Sequence, residues 1–249
     1  MSDTQQPATR ARINSVARAM NILTAIARSE TGLSVREIAE TIGVERQTAY
    51  HLVHTLADMG FIARDERRNY RLGLKTGVLA EAFQRQFSAP DHLRPLVRSL
   101  AATTGETCYA VGWWQGEIVT LDVARGTNAV RAAEVPHGQY EHAHARAAGK
   151  VLLAFAPGLR AREYLAGKPL VALTPSTLTD LGALQSEFET IRTNGYAIDN
   201  EEFALGVCCM AVPLEAGTAP FAIALSAPAE RFRECKHEYL QALNALVAQ

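Results

Sequence analysis

The sequence has few cysteines, almost no lysine in its first third, and no long apolar run. Its four cysteines, two of them adjacent (Cys208, Cys209), follow no framework spacing. That excludes a disulfide-stapled scaffold and points to a reducing cytosol. No apolar stretch reaches the ~18 residues a membrane-spanning helix needs, so no membrane partner is expected. The opening residues, MSDTQQPATRAR, lack an apolar signal core, so a cytoplasmic protein is expected. There is no P-loop and no G-x-G-x-x-G loop. Net charge is also missing, since 25 Lys+Arg against 26 Asp+Glu leave −1. What is present is 48% hydrophobic residues over 249 positions, enough for a core and too many for a disordered chain.

The small net charge hides an asymmetry. Residues 1–80 carry 11 Lys+Arg against 8 Asp+Glu, a net of +3, and residues 81–249 carry 14 against 18, a net of −4. A basic front and an acidic back suggest two modules with different partners. Lys75 is the only lysine of the front, and its other ten cations are arginine.

In the front module, Ile13, Val16, Ala17, Met20, Leu23 and Ala27 form one stripe of an amphipathic helix. Ser34-Val-Arg-Glu37 is a capping box opening a second helix that buries Val35, Ile38, Ala39 and Ile42. Gly43 ends it, and a third helix runs from about Glu45 to Met59. At 100° per residue, Thr48, Ala49, Leu52, Leu56 and Met59 share its inner side, opposite Arg46, Gln47, Tyr50, His51 and His54. Phe61–Arg64 and Tyr70–Leu72 then read as strands around a charged turn. This order predicts a winged helix-turn-helix whose third helix enters the major groove. Gln suits adenine, Arg suits guanine, and Tyr, His or Thr48 in the first turn suit phosphates or base edges. Arg67 and Arg68 at the wing tip, and Arg10 and Arg12 as an arm, suit phosphates or a narrow minor groove.

The sequence resembles the IclR-type bacterial transcriptional regulators over nearly its whole length. The resemblance is carried by Ser15-Val-Ala-Arg-Ala-Met-Asn-Ile-Leu23, Val35-Arg-Glu-Ile-Ala39, Gln47-Thr-Ala-Tyr50, Leu56-Ala-Asp-Met-Gly-Phe61 and Tyr70-Arg-Leu-Gly-Leu74. It continues in Gly105-Glu-Thr107, Ala148-Gly-Lys-Val-Leu-Leu-Ala154, Arg192-Thr-Asn-Gly-Tyr196, Glu201-Glu202 and Gly206-Val-Cys-Cys-Met-Ala211. It departs at His51, where the family usually has Arg. The resemblance implies a homodimer or homotetramer, a pseudo-palindromic operator on double-stranded DNA, and a GAF-like domain sensing a small molecule. It leaves activator and repressor both open.

In the back module, residues 74–88 have the pattern of a linker helix, and Pro90 restarts the chain into a helix from Leu93 to about Thr103. Two strands flank Gln115-Gly116, a helix covers 147–156, and Thr177–Asp180 caps a helix burying Leu181, Leu184, Phe188 and Ile191. Strands at 206–213 and 220–226 precede a last helix with Phe232, Cys235, Tyr239, Leu243 and Leu246 inward. On these strands Val207, Cys209 and Ala211, and Ala222, Ala224 and Ser226, form small faces, while Phe221, Ile223 and Leu225 point the other way. A small face either admits a closely packed helix or leaves room for a ligand. Ala145–Gly149 runs into a helix start whose amides suit a carboxylate. Tyr109 and Trp113 share a strand face that suits an aromatic wall. The resemblance assigns the effector pocket to Ala147, Ala148, Asp199, Val207, Cys209 and Ser226, and Gly149, Tyr109 and Trp113 are added from the pattern. Family effectors are small carboxylates or aromatic compounds. Ala224 stands where the family often has serine, which implies an effector less polar than glyoxylate or pyruvate.

Two other chemistries match some of the residue types present. Cys209, His144 and Asp199 are the parts of a cysteine-nucleophile hydrolase, yet Cys209 lies mid-strand, where nothing stabilises a thiolate. Cys208, Cys209, His142 and His144 suggest zinc, yet adjacent cysteines do not match the usual ligand spacing. The expectation is therefore a non-enzymatic regulator without cofactor or metal. Its fold is α+β: a winged helix-turn-helix (1–73), a linker helix (74–88) and an effector-binding and oligomerisation domain (89–249).

Overall fold

The protein is described here from a computed structural model, over residues 13–86, 89–132, 138, 140–214 and 220–247. The chain divides into two compact units between residues 86 and 87.

The first unit contains α1 (Asn14–Ala27), α2 (Val35–Ile42), α3 (Arg46–Asp58), β1 (Ile62–Arg64), β2 (Tyr70–Leu72) and α4 (Leu74–Gln86). Ser34 starts α2 with the expected reciprocal cap: Glu37 N donates to its Oγ at 3.3 Å, and Glu37 Oε2 accepts from Ser34 N at 2.8 Å. Gly43 ends α2 in the left-handed region, at φ 67°, which lets the chain reverse into α3. Ile22, Ile26, Ile38, Ala49, Val53, Leu56, Ile62 and Tyr70 form the core. Tyr70 also bridges to Leu33, adding a third edge to the wing.

Two details of the helical wheels differ from the sequence reading. Ile13, Val16 and Met20 are 69%, 55% and 53% exposed, and Ile22 and Ile26 fill the core instead. Helix α1 is apolar on more than one side, so its period identifies apolar stripes but not which of them meets α2 and α3. On α3, Val53 is buried and Met59 lies at the exposed C-cap.

The second unit contains α5 (Leu93–Thr104), β3 (Thr107–Trp114), β4 (Glu117–Ala124), a 3-10 turn (Ala143–Ala145), α6 (Ala147–Phe155), α7 (Gly158–Ala166), α8 (Leu181–Asn194), β5 (Ala197–Asn200), β6 (Val207–Leu214), β7 (Phe221–Pro228) and α9 (Ala229–Val247). The strands form one antiparallel sheet in the order β4-β3-β7-β6-β5. Residue parity splits it as expected. Cys108, Ala110, Cys208, Met210, Ile223 and Leu225 share a core with α5 and α9. Tyr109, Val111, Cys209, Ala211, Ala222 and Ala224 share the other with α6 and α8. Fully buried Glu106 ties β3 to α9, accepting from Arg231 and, at 2.9 Å, from Tyr239 Oη.

The sequence reading did not foresee β5, α7 or the 3-10 turn. Strand β5 is only four residues with an aspartate inside, and α7 is short. Asp180 is the cap of α8, accepting from Ala183 N at 2.8 Å, and Leu181 is 53% exposed rather than buried. Thr177 instead bonds the Leu173 and Thr174 amides and the Glu202 carbonyl.

Candidate DNA-binding surface and effector site

On α3, buried Ala49, Val53 and Leu56 turn Arg46, Gln47, Tyr50, His51 and His54 outward, and Thr48 is half-buried beside them. Tyr50 is the hub of this face, with ring centroids 4.2 Å from His54 and 5.8 Å from His51. At the wing tip, Asp65 Oδ1 accepts from the amides of Arg67 and Asn69 at 3.0 and 2.9 Å. Asp65 Oδ2 takes the Arg71 side chain at 3.0 Å, which helps hold the Asp65 carboxyl below its usual range. This knot leaves Arg67 and Arg68 exposed, with Arg68 at φ 67°. Arg10 and Arg12 lie outside the described residues.

In the second unit, backbone register sets Asp199, Cys209, Ser226 and Thr107 in one row across β5, β6, β7 and β3. Cys209 Sγ lies 2.7 Å from Ser226 Oγ, and Tyr109 Oη donates to Cys209 Sγ at 3.7 Å. Ala197, Ala211, Ala224 and Tyr109 form the next row. Ala147, Ala148 and Gly149, at the start of α6, belong to the same buried layer. The first amides of any helix lack an intrahelical acceptor, and here they fall at Ala147 and Ala148. Gly149 N donates to Tyr140 Oη at 3.2 Å. A Cβ on Gly149 would sit 2.3 Å from the Ala143 carbonyl oxygen, so only glycine lets the 3-10 turn seat here. Val207 is half-buried at the row's edge, paired with Pro228.

Asp199 is fully buried. Its Oδ1 accepts from the amides of Glu202 and Phe203 at 2.7 and 3.2 Å, and its Oδ2 has no partner among the described residues. Burial raises the Asp199 carboxyl, with the amide bonds and Lys150 opposing it. Lys150, also fully buried, has three N–H donors and three acceptors: Glu202 Oε1 at 2.6 Å, the Ile198 carbonyl at 2.7 Å and Glu187 Oε1 at 3.2 Å. It thereby clamps α6 to α8, to β5 and to the turn after β5 whose amides bond Asp199. Sequence reasoning met Lys150 only inside a family motif. A lone lysine in the otherwise apolar run Ala147–Phe155 was the available signal for a buried, paired cation. Tyr140, beside a loop, offered none.

Trp113 does not join the row. It lies four residues beyond Tyr109 on β3, roughly 13 Å along a strand. Its ring packs edge-on against Tyr164 at 5.4 Å, under the Arg160 guanidinium at 4.4 Å.

The hydrolase alternative is not supported. Burial pushes the Cys209 thiol up to about 12, so it is no thiolate at neutral pH. His144 Nε2 bonds the Val171 carbonyl at 3.1 Å, and the Asp199 oxygen that has partners is held by turn amides. Cys208 and Cys209 belong to opposite faces of the sheet, and among the described residues no three His, Cys, Asp or Glu side chains gather around a metal position.

Comparison with known proteins agrees with both units. Residues 15–66 match the IclR helix-turn-helix domain, and residues 90–249 match the bacterial transcriptional regulator IclR C-terminal domain. The HTH-type transcriptional regulator BhcR of Paracoccus denitrificans is 34% identical, covering 90% of this chain and 81% of its own. The transcriptional repressor IclR of Escherichia coli is 28% identical, covering 92% and 84%. Among solved structures, Thermotoga maritima IclR superposes with a TM-score of 0.65 at 30% identity, covering 95% of this chain and 97% of its own. No helix among the described residues is long and apolar enough to cross a membrane. The relatives are regulators rather than enzymes, and the chain belongs to the IclR family of bacterial transcriptional regulators, with a helix-turn-helix and an effector-binding C-terminal domain.

Proposed function

We propose that this cytoplasmic regulator reads a pseudo-palindromic operator as a homodimer or homotetramer, and that a small organic acid or aromatic catabolite bound in its C-terminal domain changes that binding. Residues 1–73 bind DNA, 74–88 link, and 89–249 sense the effector and oligomerise. Arg46, Gln47, Thr48, Tyr50, His51 and His54 meet the major groove, with Arg67 and Arg68 of the wing and Arg10 and Arg12 of the arm on phosphates or the minor groove. Exposed Val16 and Met20 on α1, and Val78 and Leu79 on α4, are surfaces a second copy would cover.

The effector lies against the row Asp199, Cys209 and Ser226, between the sheet and the Ala147–Gly149 helix start, with Tyr109 and Val207 beside it. The observation that carries this placement is Asp199 Oδ2, a polar atom buried in a small-residue layer with no hydrogen-bond partner among the described residues. Unequal affinity of the effector for two arrangements of the dimer would then shift the half-site spacing, which DNA fixes near ~34–36 Å per turn. The test selects duplexes from a random library with the full-length protein. A selected pseudo-palindrome, bound with steep salt dependence and weakened in Arg46→Ala, supports the reading. Selection of no sequence above the starting pool rejects it.

A further inference from the structure

Arg146 stands immediately before α6, in extended backbone as its N-cap. Its guanidinium carbon lies 3.4 Å from the ring centroid of Phe203 and 5.1 Å from that of Tyr140. Both rings are tied to the proposed pocket: the Phe203 amide donates to Asp199 Oδ1, and the Tyr140 hydroxyl accepts from Gly149 N. Arg146 Nε donates to the Glu141 carbonyl at 3.0 Å. Its two terminal nitrogens have no acceptor, and it has no carboxylate partner, among the described residues. A guanidinium held by its face keeps its edge free, and that edge matches a carboxylate in a bidentate pair. Burial pushes the Cys209 thiol and the Tyr109 hydroxyl up, and the Arg146 charge acts on both in the opposite direction, so its field reaches this row.

We propose that Arg146 is the anion-binding residue of the effector site, gripping a carboxylate of the effector through its two terminal nitrogens. This rests on the pocket lying at the Asp199, Cys209 and Ser226 row. It reverses the inference from Ala224: the site loses a hydroxyl there and gains a cation at its mouth. The effector is then an organic acid whose neutral analogue does not bind.

The test is calorimetric titration of the full-length protein with pyruvate, lactate, benzoate and 4-hydroxybenzoate, and with lactamide and benzamide as uncharged counterparts. At least one carboxylate binds, and neither amide does. Arg146→Gln weakens that carboxylate roughly 10–100-fold, and Arg146→Lys retains part of the affinity. Retained affinity in a folded Arg146→Gln overturns the proposal, as does equal binding of acid and amide or binding of none of the four acids. The pocket is tested separately with Ala148→Leu. Loss of binding in Ala148→Leu but not in Arg146→Gln keeps the pocket and rejects Arg146. Loss in Arg146→Gln but not in Ala148→Leu rejects the pocket placement on which the proposal rests.

Discussion

Cys209 Sγ and Ser226 Oγ approach to 2.7 Å across neighbouring strands, in a buried layer that also holds Ala211, Ala222 and Ala224. Two small polar side chains meeting on an apolar floor give a ligand something to bond without filling the space it needs. Ser226→Phe should therefore fill the site. The expected result is loss of the ligand-induced thermal shift with operator affinity retained; an undiminished shift would place the cavity elsewhere.

The reciprocal change lies on α3. Arg46→Ala or Gln47→Ala should cost about 1–3 kcal/mol of operator affinity, the worth of one bidentate base contact, and leave effector binding intact. Arg67→Ala should weaken all duplexes alike and lower the salt slope by about one. Fluorescence anisotropy at several salt concentrations separates the two behaviours.

Buried Lys150 makes a stability prediction. Lys150→Met strands the Glu202 carboxylate, already raised by burial, and should cost about 3–5 kcal/mol of unfolding free energy. Adding Glu202→Gln removes the stranded charge and should recover part of that loss. A double variant no more stable than Lys150→Met, measured by urea unfolding, would show that the lysine acts by packing alone.

How much of this was legible follows from where each signal resides. The Ser34–Glu37 box, Gly43 and Gln115-Gly116 are local chemistry, and each ended or began its element as read. Strand parity put Cys209, Ala211, Ala224 and Ser226 on one face, because a period of two leaves no other choice. The exposed stripe of α1 was not legible, since which apolar side packs is decided by α2 and α3. Trp113 shares parity with Tyr109 but not position along the strand, and parity reports only the former. Arg146 was hidden in a run read for its small neighbours, and its role depends on Phe203, 57 residues away.

Asp199 carries a pH signature. Burial raises its carboxyl, so the folded protein holds this proton where the unfolded chain has released it. Stability from the group is complete below the unfolded value, about 3.9, and is lost as pH rises through the folded value. Asp199→Asn should therefore gain in Tm relative to the parent as pH rises above the unfolded value, and the gain should level off once pH passes the folded value. A gain that shrinks with rising pH would contradict the assigned direction.

The apolar faces of α1 and α4 predict an assembly effect. Val16→Asp and Val78→Asp should each shift the protein toward monomer in sedimentation velocity and weaken operator binding with it. Unchanged sedimentation in both would remove these faces from the interface.

In the proposed function one ligand site governs one DNA surface. The most direct measurement is the affinity of full-length protein for its selected operator, by fluorescence anisotropy, with and without the carboxylate that binds it in calorimetry. A change of about fivefold or more in either direction is expected, the scale of typical allosteric coupling, abolished by Ala148→Leu. Saturating ligand that leaves both operator affinity and footprint unchanged would contradict it.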